Sequence, residues 1–332
     1  MLYDPLGINN TSGNSLSSGG NNSKFLDKLE VVISAIVRGI GPLFVGFAVV
    51  LIGCIAYVHF TVLLPTLKNR YYQEYEYTDS STIEFLNLLF HYTLSTVLLF
   101  NIAFNYIQTI ITPPGSPPKD NEYSTQELQY FKSITTIKRS ETWNKFCVTC
   151  RLPKLERAHH CQLCQSCVLR MDHHCPWVNN CVGLNNHRYF ILFLSYLWIS
   201  CIYVCYLSFP HVFRTKSFIP FTTLMSFVLT LTISIALGGL LFWQLYLILS
   251  NQTTIEFLHN RTQIKRAKDK GEIYKNPYNR GFKGNFYEFF RTNHWYLFAM
   301  PILSSRNNFI KKFDITETPM LVNNNNNNDD TV

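Results

Sequence analysis

Three observations predict an α-helical integral membrane protein, with four transmembrane helices and a cytosolic cysteine-rich domain between helices 2 and 3. The first is charge spacing. Only 15% of the 332 residues are charged and 47% are hydrophobic, whereas a typical soluble chain carries about 25% charged residues. Uncharged windows of 29, 34, 25 and 39 residues follow Arg38, Glu84, Arg188 and Lys216. Each exceeds the roughly 20 residues that a helix needs to cross a hydrocarbon core of about 30 Å. The second is the distribution of basic residues. With four spans, the two termini and the central loop share one side and carry 25 Lys and Arg, against 4 in the other two loops. The positive-inside rule places that basic side, with both termini, in the cytosol. The third is that seven of the ten cysteines lie between Cys147 and Cys181, inside the central loop. A soluble enzyme and a secreted disulfide scaffold are both excluded.

The elements follow in order. Residues 1–35 read as a disordered cytosolic arm, since 1–23 are rich in Asn, Ser and Gly and lack a signal peptide's apolar core. The first span then serves as an internal signal anchor. Spans are expected near 40–65, 85–111, 189–209 and 220–249, within membrane units 40–111 and 189–250. Gly39-Ile40-Gly41-Pro42 suits a helix start, with Pro in the first turn. Thr112-Pro113-Pro114-Gly115-Ser116-Pro117-Pro118 must end the second span. His91, Asn101 and Asn105 are costly against lipid, so they are expected to face the bundle. The central loop covers 112–188, with its cysteine-rich domain at about 145–190. Residues 251–312 form a cytosolic C-terminal region, and 313–332, with Asn323–Asn328, a disordered tail. Segment 292–305 is uncharged but too short to span; Trp295, Tyr296 and Phe298 mark it as interfacial or packed on the bundle. No internal repeat is visible. The net charge of +8 sets orientation and also suits anionic headgroups or a polyanionic ligand. The sequon Asn251-Gln252-Thr253 faces the cytosol on this map and stays unglycosylated.

In a reducing compartment a dense cysteine cluster reads as metal binding or catalysis, not as disulfides. Cys147-x2-Cys150 is one thiolate pair. His160-Cys161-x2-Cys164-x2-Cys167 follows, then Asp172-His173-His174-Cys175 and Cys181. Tetrahedral Zn²⁺ takes four N or S ligands, and a Cys-x2-Cys turn supplies two of them. Two such sites consume eight ligands, whereas the segment offers seven Cys and four His (159, 160, 173 and 174), so several must do something else. Phe146, Pro153, Pro176 and Gly183 break the segment into turns with little core, so metal must hold it together. Cys54, Cys201 and Cys205, inside spans, read as small apolar packing residues.

From Cys147 to Phe190 the chain resembles the cysteine-rich domain of DHHC-type protein S-acyltransferases, the palmitoyltransferases. The likeness rests on Arg157-Ala158-His159-His160-Cys161, Asp172-His173-His174-Cys175-Pro176-Trp177 and Asn180-Cys181-x-Gly183-x2-Asn186. Thr253-Thr254-Ile255-Glu256 is similar to the family's TTxE motif. Asn276-Pro277-Tyr278 through Gly281 to Asn285-Phe286 is similar to its C-terminal Asn/aromatic motif. The resemblance covers about residues 40–290. Pro113-Pro114-Gly115 departs from the family's Asp-Pro-Gly. The resemblance implies two structural zinc ions, one on Cys147, Cys150, His160 and Cys167, the other on Cys161, Cys164, His174 and Cys181. His159, Asp172, His173 and Cys175 are then left without a metal.

The resemblance also implies a reaction. Cys175 takes a long-chain acyl group from acyl-CoA, palmitoyl-CoA in the first instance, as a thioester. It then passes that group to cytosolic cysteines of membrane-associated proteins. An unperturbed thiol is mostly protonated at neutral pH, so an imidazole must take its proton. His173 fits that role because His174 is committed to zinc, and Asp172 orients His173. A pocket between the spans would take the chain, with Trp177, Phe190 and Phe193 at its mouth. Lys154, Arg157, His159 and Arg188 are candidates to meet the CoA phosphates. Thr253, Thr254, Glu256 and Asn285 are expected to brace the site. The family places the protein in endomembranes, Golgi or ER, and nucleic acid is not expected as a partner. A zinc module that only recruits partners, or works as a RING-type ubiquitin ligase, needs ligands but no spare nucleophile. The intact Asp172-His173-His174-Cys175 set argues against it.

Overall fold

A computed structural model describes residues 20–67, 81–117, 146–147, 149–213, 220–290 and 298–300. The arm before residue 20, Trp295, Tyr296 and the tail 313–332 lie outside the described residues. Among the described residues, four helices are long and apolar enough to cross a membrane, at Ala35–Leu67, Phe85–Ile111, His187–Phe213 and Phe221–Leu249. These match the four uncharged windows.

Helix α1, Gly20–Val58, begins inside the segment expected to be a disordered arm and carries Pro42 in its interior rather than in its first turn. The physical reason is in the sequence. Lys24 to Arg38 contains neither Pro nor Gly, so nothing stops the helix from growing back from the span. A proline inside a membrane helix is tolerated where neighbours take up the freed backbone groups. A π-helical turn, His59–Leu63, and a further α-helical turn at 64–67 continue α1 to the end of its span. Helix α2, Ser81–Ile111, stops directly before Thr112-Pro113-Pro114, as the missing proline N–H groups require. Asn101 and Asn105 are buried, as their cost in lipid demands.

After α2 come three short hairpins: β1 (Phe146–Cys147) with β2 (Leu152–Pro153), β3 (His159–Cys161) with β4 (Ser166–Val168), and β5 (His173–Cys175) with β6 (Asn180–Val182). Helix α3, His187–Phe213, and helix α4, Phe221–Leu249, then form the second pair of spans. Trp198 of α3 donates to the Ser234 carbonyl at 3.0 Å. It lies so close to α4 that a Cβ at Gly238 would come within 2.8 Å of its ring nitrogen, and small residues permit such approach between membrane helices. Helices α5, Thr254–Asp269, and α6, Gly281–Phe290, follow α4.

The hairpins expose a repeat that the sequence reading missed. Cys147, Cys161 and Cys175 each open a tight turn, and the turns hold Arg151, Gln165 and Asn179 at φ of 56°, 55° and 47°. His160 pairs with Cys167 across the second hairpin, and His174 with Cys181 across the third. One unit of chain is thus used three times over. In the first two copies the turn reads Cys-x2-Cys, at 147/150 and 161/164. In the third it reads Cys175-Pro176-Trp177-Val178.

Two asparagines dock the hairpins onto the membrane bundle. The last carbonyls of α2 have no helical partners. Asn180 Nδ2 donates to the carbonyls of Thr109, Ile110 and Thr112 at 3.0–3.2 Å. Buried Asn186 bridges the carbonyls of Thr112 and Cys181. Pro113-Pro114-Gly115 joins through its backbone: the Pro114 carbonyl accepts from Asn185 N–H and the Gly115 carbonyl from Leu169 N–H, both at 3.0 Å. Gly183 sits where any Cβ would meet Val168 at 2.7 Å and the Pro114 carbonyl at 3.0 Å. The third hairpin therefore caps a transmembrane helix, and its one free cysteine lies at the bundle's end.

Candidate active site and metal centres

Two four-residue clusters bring together the expected ligands: Cys147, Cys150, His160 and Cys167 in one, Cys161, Cys164, His174 and Cys181 in the other. In the first, His160 Nδ1 lies 3.1 Å from Cys150 Sγ and 3.5 Å from Cys147 Sγ. In the second, His174 Nδ1 lies 3.3 Å from Cys164 Sγ and 3.6 Å from Cys181 Sγ, and the two sulfurs are 3.4 Å apart. Sulfur at about 2.3 Å from Zn²⁺ spans tetrahedral edges of about 3.8 Å, and nitrogen ligands shorten the mixed edges. The donor set and spacing fit such an ion. Amide N–H groups of Cys150 and Cys164 point at Cys147 and Cys161 Sγ, at 3.4 and 3.3 Å. The second hairpin gives His160 and Cys167 to one cluster and Cys161 and Cys164 to the other, so the clusters lock three hairpins together.

Cys175 stands at the position of Cys147 and Cys161 but belongs to neither cluster, because Val178 replaces the second turn cysteine. It is buried. His173, two residues back on β5, lies on the same face of the strand. His173 Nδ1 donates to Asp172 Oδ2 at 2.6 Å, which leaves Nε2 for the thiol. Asp172 is 1% exposed and fully partnered. Its Oδ1 accepts from the Thr254 N–H at 2.7 Å, and Oδ2 also from Thr254 Oγ1 at 3.0 Å and Gln244 Nε2 at 2.9 Å. Burial would raise the Asp172 pKa, but the His173 hydrogen bond and charge, the neighbouring His187 and the Thr254 N–H together outweigh it and hold the carboxyl well below the usual range. Burial likewise disfavours charge on His173, yet its bonds to Asp172 and Cys175 raise it to about 10. The arrangement favours an imidazolium beside the sulfur.

The TTxE segment has a divided task. Thr253 caps α5 through a reciprocal capping box with Glu256. Thr254 holds Asp172. Glu256 also accepts from Arg157 Nε and Nη2, both at 2.7 Å, and the Arg157 guanidinium lies 4.2 Å over the Tyr278 ring. Arg157 is therefore a brace between the hairpins and α5, not the phosphate contact that its charge suggests. Removing one partner of such a buried pair costs about 3–5 kcal/mol. Asn285 braces a second joint, donating to the Leu249 carbonyl at 2.7 Å and accepting from the Arg280 N–H at 2.8 Å.

The other expected phosphate contacts do not line the cavity that holds the thiol. Arg188 Nη2 donates to the Met300 carbonyl at 3.0 Å and is near that of Phe298. Burial, with Lys154 beside it, lowers His159 to about 4, so it carries no charge at neutral pH. Lys154 is half-buried next to His159 and His160. Trp177, expected at the pocket mouth, does line the cavity at Cys175.

That cavity, of about 550 Å³, runs between the four membrane helices and is lined almost wholly by apolar groups, with His173, Cys175, Trp177, Phe190 and Phe193 at one end. Its size falls within the ~300–1,000 Å³ of ligand pockets. His59 and Ser95, joined at 2.8 Å, lie among its lining at the other end. Cys201 lines it too, whereas Cys54 is exposed rather than packed.

Two residues that sequence reasoning missed complete the site. Gln244, 1% exposed in α4, donates to Asp172 and accepts from His187 Nε2 at 3.0 Å. A fully buried amide in a span of otherwise apolar character was the available signal. Replacing Gln244 by Leu removes a bond to a charged acceptor and orphans His187, which should lower stability by about 1.5–3 kcal/mol. Gln244→Glu should do worse, since it faces one carboxylate with another. Thermal unfolding of the two variants beside the wild type checks both the loss and its order.

A free thiol with an oriented imidazole at the mouth of an apolar intramembrane cavity is the equipment of a membrane transferase for lipid chains. The comparisons agree. The DHHC palmitoyltransferase family model matches residues 140–261. Palmitoyltransferase ZDHHC16 of Mus musculus is 31% identical over 285 residues, covering 80% of this chain and 71% of the mouse protein. The Homo sapiens ZDHHC16 is 31% identical over 302 residues, covering 80% and 72%. The probable protein S-acyltransferase 16 of Arabidopsis thaliana is 35% identical over 194 residues, covering 56% and 67%. The chain belongs to the DHHC palmitoyltransferase family, and with it to the protein S-palmitoyltransferase enzymes.

Proposed function

We propose that the protein moves a long-chain fatty acyl group from acyl-CoA to cysteines of membrane-associated proteins through a Cys175 thioester. The observation that carries this is Cys175 itself: the thiol left out of both metal clusters opens onto the apolar cavity. The chain lies in the cavity, and Trp177, Phe190 and Phe193 hold its thioester end at β5. With its proton already held by His173, Cys175 Sγ attacks the thioester carbonyl. The bond to CoA sulfur breaks, and His173 returns the proton to the CoA thiolate. In the second step a substrate thiol attacks the acyl-enzyme, His173 takes its proton, and Cys175 is released. Asp172 orients His173 and stabilises its charge throughout.

Each cluster would hold a structural zinc ion, which supplies folding energy to the hairpins and takes no part in the transfer. The basic side, with both termini, faces the cytosol, where acyl-CoA and acceptor cysteines are found, and the membrane is Golgi or ER. Lys154 remains the candidate among basic residues for the CoA phosphates.

The test uses purified protein and a labelled acyl-CoA. Label should enter the chain and leave with hydroxylamine, which cleaves thioesters, and Cys175→Ala should take up none. Equal labelling of Cys175→Ala would reject the intermediate.

A further inference from the structure

We propose that helix α5 lies on the membrane surface and binds the anionic headgroups of the leaflet beside it. The argument begins at the end of α4. Trp243 and Tyr246 project outward there, 36% and 51% exposed, and aromatic residues of this kind mark the boundary of a bilayer. Phe257 of α5 packs edge-on against Trp243 at 4.8 Å and lies 6.3 Å from Tyr246. One face of α5 is thereby continuous with the lipid-facing surface of the span.

That face has a definite composition. Positions 257, 261, 264, 265 and 268 share one side of a helix, by the spacing of 3.6 residues per turn. They are Phe257, Arg261, Ile264, Lys265 and Lys268, and the last four are exposed. No acidic residue falls among them. Ile255, Glu256 and Asn260 are buried against the protein, Asn260 at the edge of this face, and Arg266 adds an exposed positive charge on another side of the helix. The capping box and the Arg157–Glu256 pair fix the rotation of the helix, so the basic face cannot turn away. Cationic side chains around Ile264, directly after a transmembrane helix, complement an anionic lipid surface. Positive-inside orientation alone requires basic residues near the span but does not require three of them to flank Ile264 and Phe257 beside an aromatic belt.

This inference concerns the bilayer and stands apart from the acyl-transfer reading, so its test does not read activity. The full-length protein is placed in nanodiscs of phosphatidylcholine, with or without phosphatidylserine, and amide exchange is followed across residues 257–268. Exchange should slow by at least about fivefold when phosphatidylserine is present, the factor that one cationic group at an anionic surface supplies. High salt should reverse this. A photo-cross-linking amino acid at Ile264 should attach to lipid. The triple variant Arg261→Glu, Lys265→Glu, Lys268→Glu should lose the slowing while keeping its metal content and thermal stability. Equal exchange in the two discs, an unchanged triple variant, or protection by a soluble acidic peptide without phosphatidylserine would each overturn the proposal.

Discussion

Replacing His174 by Ala, or Cys147 by Ser, should strip the cysteine-rich domain of its fold. The paired strands are only two or three residues long, and hairpins of that size are not stable alone in water. Metal binding is then folding energy, ~10–16 kcal/mol for a zinc-finger peptide, and each lost ligand removes a large share of it. The clusters are not independent, because the second hairpin serves both. Loss of His174 frees β5, and Cys175 is its next residue. Wild-type protein should contain about two zinc ions per chain, one for each cluster. The His174 and Cys147 variants should contain one or none and become sensitive to proteases, whereas Cys175→Ser should keep both. Zinc quantification with limited proteolysis decides this. A Cys147→Ser protein that keeps two zinc ions would reject the paired centres.

How far the sequence was legible follows from the kind of force at work. The spans could be read because the hydrocarbon core tolerates no stretch of charge, and composition alone reports that. The need for metal could be read because zinc chemistry admits few residue types at few spacings, but which eight of the eleven Cys and His would ligate came only from the resemblance to the DHHC family. Arg157 was misjudged for a different reason. A guanidinium is equally suited to phosphate and to carboxylate, and only the fold shows that Glu256, distant along the chain, has taken it. Gln244 escaped notice because its partner Asp172 lies on another element, and nothing local marks a lone amide in a span as bonded. The start of α1 was misplaced because Gly39 and Pro42 are helix-boundary residues by frequency, whereas continuous helix on both sides of them satisfies more backbone groups. The repeat was visible in principle. Cys147, Cys161 and Cys175 recur at one interval, as do His160 with His174 and Cys167 with Cys181. It was hidden because the third copy breaks the pattern at Val178, and that break is what leaves Cys175 its thiol.

The second large effect is expected at His173, and it separates proton transfer from architecture. His173→Ala removes the group that accepts the Cys175 proton, and a positioned base contributes ~10²–10⁴-fold to rate. Acyl-enzyme formation at neutral pH should fall within that range. The direction with pH follows from protonation states. In the wild type His173 is raised to about 10 by Asp172 and Cys175. The stabilisation from its charged form is therefore complete below the ordinary histidine value of about 6.5 and fades only as pH rises through about 10. In the variant no imidazolium stands beside the sulfur, so thiolate must come from solvent ionisation, and the rate should climb as pH approaches the ordinary thiol range near 8.5. The gap between the two proteins should narrow from the alkaline side. Asp172→Asn should act in the same direction, because a neutral amide no longer holds the charged ring. That variant also weakens the bonds from Thr254 and Gln244, so it should lower thermal stability, whereas His173→Ala should lower it less. Zinc content should not change in His173→Ala, whose side chain is outside both clusters. Initial rates across pH, with zinc measured on the same samples, give the answer. Wild-type rates at neutral pH, or a loss of metal, would make His173 a structural residue and leave the base to be found elsewhere.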